Sequence, residues 1–442
     1  MRHNPKLYIT CFITGLLFLT TLISVGFGAL NQNLSVAGEL EYEYLGSQMI
    51  RSWSYNDMRD FHSNTYRTKI TSVYFVNNKD YSGSVNYWDV SEDEDNSVIA
   101  WVVNDPNQSG YYILYIGAVG YVKANPDSNY LFTNFTALKS ISTTYFNTET
   151  AINMSHMFAF IDYDTQDPIT NNLTSITFGD KFDTSNVTDM SVMFIHCNKL
   201  TSLDVTGFDT SSVENFSNMF NDCSSLTSLD VSNFNTSSAT DMGAMFASCE
   251  KITTFNLTNF DTSDVTNMHS MFYLCYGVTT INLSSFNTGE VTDSEYMFTS
   301  CTKLTTLTFG SGCTFAKVTN MHSMFYNLSS MTSLNLTYFN TGSCTNAEYM
   351  FNNCSNLTSI TFGSNCTFAN NKNFHGMFAA CTRLPSLNIT MFNTRKATNM
   401  NYMFYNSSAL RTIRVSNSNW VTSGATTTGM FSGCGTSTVT RV

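Results

Sequence analysis

Charged residues are scarce in this chain. Asp, Glu, Lys and Arg make up 12% of its 442 residues, about half the share of an ordinary soluble protein. The 33 acidic residues outnumber the 21 basic ones, which gives a formal net charge of −12 at pH 7. A protein that binds nucleic acid needs a basic surface against the phosphates. The composition therefore excludes nucleic acid as a partner.

The usual signatures of catalysis and metal binding are missing as well. The sequence contains no C-x-x-C pair and no G-x-S-x-G, G-x-G-x-x-G or P-loop pattern. Three aspartates lie close together at Asp162, Asp164 and Asp167, as in a calcium loop, but the glycine and the closing glutamate of an EF-hand are absent. We favour a plain surface loop there. We predict that the protein is not an enzyme and has no catalytic residue, metal site or cofactor.

The chain instead repeats one dipeptide, Met-Phe, at a fixed interval. It occurs at Met193-Phe194 and returns every 26 residues as far as Met297-Phe298, and methionine continues the series in steps of 26 or 27 to Met430. Met157-Phe158 and Leu131-Phe132 belong to the same series. A fixed period of this length indicates a stack of supersecondary units.

One repeat contains three kinds of local pattern. Leu203 and Val205 alternate with polar residues, as in a short strand with one buried face. Asp209-Thr210-Ser211 follows, a sequence that favours turns and helix starts. Apolar residues also recur every three or four positions, which is typical of a buried stripe on a helix or 3₁₀ turn. The members of that stripe are Val187, Met190, Phe194, Cys197 and Leu200. The predicted fold is an α/β repeat solenoid, a right-handed leucine-rich-repeat superhelix of about twelve coils.

The recurring pattern M-F-x-x-C-x-x-L-T-S-L-D-V-S-x-F-D-T-S-x-V-T-x-M resembles that of the BspA-like leucine-rich-repeat surface proteins of bacteria. The similarity covers roughly Leu131 to Cys434. The preceding segment, with Trp88-Asp89-Val90-Ser91 and Ala100-Trp101-Val102, also looks like the stretch that often comes before such repeats. The resemblance implies a secreted or surface-displayed, non-enzymatic protein. Adhesion to host or bacterial partners is known for some relatives.

Four regions follow one another along the chain. Residues 1–30 have a basic start, an apolar run and small residues at the exit, which favours a signal peptide cleaved near Ala29. The run is also long enough to stay uncleaved as an N-terminal anchor. Residues 31–65 are predicted to be a linker. Residues 66–130 are expected to form an N-terminal β-rich cap or, alternatively, an independent binding domain. Residues 131–442 form the predicted leucine-rich-repeat solenoid.

Cysteine and methionine follow the repeat. Of the 22 methionines, 17 fall at the positions of Met190 and Met193, and eight of the 12 cysteines share another position. Free cysteine packs as a small hydrophobic residue, so we interpret both sets as core columns. Equivalent side chains in a stack point the same way, which is unfavourable for disulfide geometry, and we predict reduced thiols. The eight cysteines are Cys197, Cys223, Cys249, Cys275, Cys301, Cys354, Cys381 and Cys434.

The residues between the buried strand positions are expected to point outward and form one polar face. Extended faces of this kind are where repeat proteins usually bind partners. The candidate binding residues are Asp204, Asp230, Asn256, Asn282, Asn335 and Asn388. We expect an adhesin or recognition scaffold that is extracellular or displayed at the cell surface. Its expected partners are host or bacterial surface proteins or glycans. It would contact a membrane only if residues 1–30 are not cleaved. The alternative is a structural spacer or envelope component without a dedicated ligand.

Overall fold

The computed structural model describes residues 48–162, 164–165 and 167–442. The predicted signal peptide or anchor (1–30) and the first part of the predicted linker (31–65) lie outside the described residues. All described residues belong to one compact unit. Within them, no helix is both long enough and apolar enough to cross a membrane.

Short β-strands and turns make up this part of the chain. Its one helix is a 3₁₀ helix, Asp60–His62. The strands are β1 (Ile70–Val76), β2 (Asn86–Asp89), β3 (Ile99–Asn104), β4 (Tyr112–Gly117), β5 (Val122–Lys123), β6 (Ser140–Ser142), β7 (Phe146–Asn147), β8 (Ser175–Thr177), β9 (Thr280–Leu283), β10 (Thr306–Phe309), β11 (Ser333–Leu336), β12 (Ser359–Phe362), β13 (Ser386–Ile389), β14 (Thr412–Val415) and β15 (Thr440–Arg441).

The N-terminal strands form a mixed sheet in the order β2-β3-β4-β1-β6-β8. Strand β3 pairs antiparallel with β2 and β4, whereas β1 pairs parallel with β4 and β6. Ser72 of β1 aligns with Ser140 of β6, and Ser140 aligns with Ser175 of β8. The sheet is therefore continuous across residue 130, where we placed the boundary between cap and repeats. The domain limits themselves stay a prediction.

Successive repeats stack in parallel from Asp127 onward. Isolated parallel bridges join equivalent residues of neighbouring repeats, for example Asp189 with Asn215 and Asn215 with Asp241. This series of bridges continues to Asn399 and Thr426. The strands pair at a second position of the repeat, β9 with β10, β11 with β12, and β13 with β14. The predicted repeat stack is thus confirmed, while the number of coils and the handedness of a superhelix stay predictions.

The predicted helical segment of the repeat is wrong, because the Met-Phe segments are turns. Val192 and His196 have φ angles of 62° and 60°, and the same two positions are left-handed in the following repeats. Left-handed residues interrupt an α-helix. The amide of Phe194 donates to the carbonyl of Met219 in the next repeat (3.0 Å), so it makes no bond within a helix. The described chain is mainly β and turn rather than α/β.

The core is a set of side-chain columns that run through the stack. Met193, Phe194 and Cys197 are fully buried, as are their counterparts in most other repeats. The phenyl rings of Phe194 and Phe220 stack with centroids 5.7 Å apart and an interplanar angle of 4°. Equivalent stacked pairs continue from Phe132 to Phe431. We call this series the phenylalanine column. It confirms the predicted apolar interior of the repeats.

Candidate functional site

The six candidate binding residues lie on the outer side of the strand positions, which we call the strand face. All six are exposed, and the strand residues on either side of them are mostly buried, as in β9 and β11. The inward and outward assignment of the strand is therefore confirmed. Parallel pairing sets Asn282 beside Thr308, Asn335 beside Thr361 and Asn388 beside Arg414. Partner binding by the strand face stays a prediction.

The side chains of the strand face are used locally. In each of the six residues, Oδ1 accepts a hydrogen bond from the backbone N–H two residues later, at distances from 3.0 Å to 3.4 Å. Asp204 also accepts from the Thr206 hydroxyl at 2.6 Å, and this bond lowers the pKa of Asp204. The Ser232 hydroxyl and backbone lower the pKa of Asp230 likewise. These bonds close the turn after each strand, which is a structural role.

A second exposed surface was not predicted from the sequence. Aromatic rings and imidazoles follow one another across neighbouring repeats, in the turn segment around the Met-Phe positions. We call this surface the tyrosine–histidine stripe. Its members are Tyr273, Tyr296, His322, Tyr349, His375, Tyr402 and Tyr405.

The rings of the stripe are in continuous contact. The centroids of Tyr296 and His322 are 4.9 Å apart, and those of Tyr349 and His375 are 5.0 Å apart, both in edge-to-face geometry. Longer contacts of 6.0 Å and 5.6 Å join His322 to Tyr349 and His375 to Tyr402. Edge-to-face pairs at these distances are favourable. Tyr402 and Tyr405 are 39% and 38% exposed, and the other five members of the stripe are half-buried.

Carboxylates flank the stripe and are held by side chains of neighbouring repeats. Glu295 Oε1 lies 3.0 Å from His322 Nδ1, and Asn320 Nδ2 donates to Glu295 Oε2 at 2.8 Å. In the same way Asn373 donates to Glu348 at 2.9 Å. Burial, reinforced by the adjacent Glu295 carboxylate, raises the pKa of Tyr296. Burial likewise raises the pKa of Tyr349, so Tyr296 and Tyr349 present neutral phenols at pH 7.

The stripe has a signal in the sequence that the 26-residue period conceals. From Met271 to Met403, the two residues before each Met alternate between repeats, with Glu-Tyr or Asn-Tyr in one repeat and His-Ser or His-Gly in the next. The series runs His269-Ser270, Glu295-Tyr296, His322-Ser323, Glu348-Tyr349, His375-Gly376, Asn401-Tyr402. The pattern of the stripe therefore has a period of two repeats rather than one.

Among the described residues, no three His, Cys, Asp or Glu side chains lie together as metal ligands would. The predicted loop at Asp162 is only partly described. There the Asp164 N–H donates to Asp162 Oδ1 at 2.9 Å, and the Asp162 N–H donates to the Asp167 carbonyl at 2.9 Å. These bonds are those of a local turn.

The stacked repeats, the core columns and the long exposed surfaces define a repeat protein of short parallel β-strands and turns. A family model described as "Mycoplasma protein of unknown function, DUF285" matches five overlapping segments, residues 126–253, 169–278, 229–333, 251–362 and 319–440. Together the segments cover well over half of the chain. The protein belongs to this family.

The solved structures that are similar to the chain include two repeat proteins. One is a leucine-rich repeat protein from Bacteroides ovatus, with 14% identity, 75% of this chain and 83% of that chain covered, and a TM-score of 0.25. The other is the functional domain of InlJ from Listeria monocytogenes, described as including a cysteine ladder, with 14% identity, 64% of each chain covered and a TM-score of 0.19. No curated protein matches the chain. Both superpositions are poor, so the assignment above depends on the repeat and on the family match.

Proposed function

We propose that the protein is an exported, non-enzymatic recognition scaffold of the BspA-like leucine-rich-repeat type, displayed at the cell surface or secreted, that binds a protein or glycan partner along its repeats. The proposal includes a right-handed superhelix of about twelve coils. At about 4.8 Å per coil, such a stack presents faces roughly 50–60 Å long.

The observation that carries this proposal is the tyrosine–histidine stripe. The repeats place their phenylalanines in the core, yet they leave tyrosines half-exposed in neighbouring repeats along one surface. Tyrosine is enriched in binding surfaces because it offers a large apolar area together with a polar group at low entropic cost. A surface that only has to be solvated does not require tyrosine side chains in these positions.

A structural spacer or envelope component remains the second candidate, and the strand face favours it. There the side-chain oxygens already bond to their own turns. A spacer requires only that these turns be closed and solvated.

Binding assays on the secreted protein separate the two candidates. Arrays of bacterial and host surface proteins and of glycans should give a saturable signal that the Tyr349→Ala/Tyr402→Ala double variant loses. Failure of the wild-type chain to bind any protein or glycan would favour the spacer.

Export is tested separately by mass spectrometry of the culture medium and the cell fractions. We expect a product that begins near Asn31, since cleavage near Ala29 removes the apolar run. A full-length chain confined to the cytoplasm would contradict export. A full-length chain in the membrane fraction would identify residues 1–30 as an anchor.

A further inference from the structure

We propose that the tyrosine–histidine stripe is a binding track for a linear, uncharged polysaccharide of β-1,4-linked pyranose sugars, with Tyr296, Tyr349 and Tyr402 as stacking platforms. This inference rests on the proposed function as a recognition scaffold and names its surface and its ligand class. It moves the candidate site from the strand face to the turn segment of the repeat.

The spacing of the platforms is set by the stack. Parallel bridges join Asp293, Asn320, Asn346, Asn373 and Asn399 in consecutive repeats, and each platform tyrosine lies three residues after every second one of these. Two strand spacings amount to roughly 10 Å. In an extended β-1,4-linked chain each sugar advances by about one strand spacing and is turned over relative to the last, so every second sugar presents the same face. The platforms therefore recur at the interval of a disaccharide.

Two of the three platform rings, those of Tyr349 and Tyr402, pack closely on a glycine of the following repeat. A Cβ atom on Gly376 would lie 2.6 Å from the ring of Tyr349, and one on Gly429 would lie 2.5 Å from the ring of Tyr402. Only glycine fits beneath these two rings, and both glycines also have positive φ. The close approach of Gly376 and Gly429 therefore holds the rings of Tyr349 and Tyr402 in place before a ligand arrives. Preorganised groups lose less entropy on binding.

Polar groups between the platforms suit sugar hydroxyls. Glu348 accepts from Asn373, and His375 lies against the ring of Tyr349, so acceptors and donors alternate with apolar ring surface. A sugar-binding surface needs both apolar rings and polar groups, because a pyranose has apolar C–H faces and hydroxyl groups along its edges. The carboxylates Glu295 and Glu348 and the net charge of −12 disfavour sulfated or other anionic glycans. The charge pattern thus points to a neutral chain.

The test uses the full-length protein and isothermal titration with cellohexaose and with chitohexaose, the two neutral β-1,4-linked probes. We expect at least one of them to bind. For shorter oligosaccharides of the same sugar, the affinity should rise with chain length up to about five sugars, the number that reaches from Tyr296 to Tyr402 at one sugar per repeat. Tyr349→Ala and Tyr402→Ala should each weaken binding roughly tenfold, whereas Tyr349→Phe should stay within about threefold because it keeps the ring.

Tyr338→Ala is the matched control, because Tyr338 is a 46% exposed tyrosine outside the stripe. It should leave binding unchanged. Thermal melts of all variants check folding, and Tyr402→Ser provides a second exposed-site variant if Tyr349→Ala fails to fold.

Three outcomes would overturn the inference. Sugar binding that is unchanged in both alanine variants would place the site elsewhere. Tighter binding of maltohexaose or of heparin than of the two probes would contradict the linkage or the charge argument. Capture of a protein partner on the arrays, with no binding of either hexasaccharide, would leave the proposed function standing and remove the glycan. If no array signal appears either, the proposed function fails too.

Discussion

The thiol of each column cysteine donates to a backbone carbonyl of the preceding repeat. Cys223 Sγ lies 3.3 Å from the carbonyl oxygen of Phe194, and Cys275 Sγ lies 3.1 Å from that of Phe246. Ser407 takes the cysteine position in a later repeat, and its hydroxyl makes the same bond to Phe378 at 2.7 Å. Most repeats therefore place a small donor at this buried position, and Leu328 fills it in one repeat. Packing alone, which was our interpretation from the sequence, accounts for only part of this column.

These bonds predict that the cysteine column is reduced and unreactive in the folded protein. Burial raises the pKa of Cys275 and of Cys354 to about 12, so the reactive thiolate is suppressed. Alkylation of the native protein should label none of the buried column cysteines, whereas alkylation after denaturation without reductant should label all of them. Mass spectrometry counts the labels. Fewer than two labelled column sites in the denatured sample would show that neighbouring repeats are joined by disulfides.

A buried histidine predicts sensitivity to acid. His62 stacks on Trp53 with centroids 4.9 Å apart, and burial lowers the pKa of His62 to about 3. Its unfolded pKa is about 6.5. Folding therefore favours neutral His62, so its contribution to stability is complete above pH 6.5 and declines as the pH falls from 6.5 toward 3. The expected loss is about 1.4 kcal/mol per pH unit. His156, whose pKa burial lowers to about 4, acts in the same direction.

Urea unfolding measured from pH 7 to pH 4 tests this prediction. The His62→Phe variant keeps a ring against Trp53 but cannot take up a proton. Its unfolding free energy should fall less steeply with decreasing pH than that of the wild-type chain. Equal slopes would mean that folding does not lower the pKa of His62.

At the scale of one repeat, the phenylalanine column and the strand face should respond very differently to truncation. Phe246 is fully buried between Phe220 and Phe272, with centroids 6.0 Å and 5.8 Å away. Phe246→Ala should reduce the free energy of unfolding by about 3–5 kcal/mol. Asn282→Ala removes one exposed turn bond and should cost less than about 1 kcal/mol. Urea denaturation of the two variants would contradict the core assignment if both midpoints moved equally.

The repeat also shows which parts of the fold are readable from the sequence. The strand residues alternate between buried and exposed, as in Thr280–Leu283, because side chains on a strand alternate in direction. The apolar spacing of three and four residues was misleading, because turns with left-handed residues at Val192 and His196 bury the same set. Valine does not signal positive φ and histidine signals it only weakly, and the bonds that stabilise the turn come from the next repeat. That information is nonlocal and is absent from a single period.

Of the two candidate binding surfaces, one was predictable from the sequence and the other was not. The strand face was predictable because exposure follows from the strand pattern alone. The tyrosine–histidine stripe was missed because its contacts, such as Tyr296 with His322, join residues of different repeats. Its signal has twice the period of the core. The proposed binding surface therefore depends on residues that differ between repeats, whereas the fold depends on residues that the repeats share.

At the scale of the whole molecule, the N-terminal sheet and the repeats share one core. Strand β1 pairs with β6 of the first repeats, and Phe75 stacks on Phe146 with centroids 4.2 Å apart. Phe75 also meets Phe132, the first ring of the phenylalanine column. A repeat stack needs a cover at each apolar end. These contacts favour a cap over an independent binding domain for residues 66–130.

Comparing residues 131–442 with residues 48–442 distinguishes the two interpretations. Without β1 and Phe75, the edge of β6 and the rings of Phe132 and Phe146 are uncovered. Each ring that loses its cover costs about 1.5–3 kcal/mol, and an open strand edge promotes association. We expect the shorter chain to unfold at lower temperature and to aggregate, as seen by calorimetry and light scattering. An independent domain predicts two separate transitions in the longer chain and an unchanged transition for the repeats alone. That result would mean that the sheet joins the two regions without stabilising the stack.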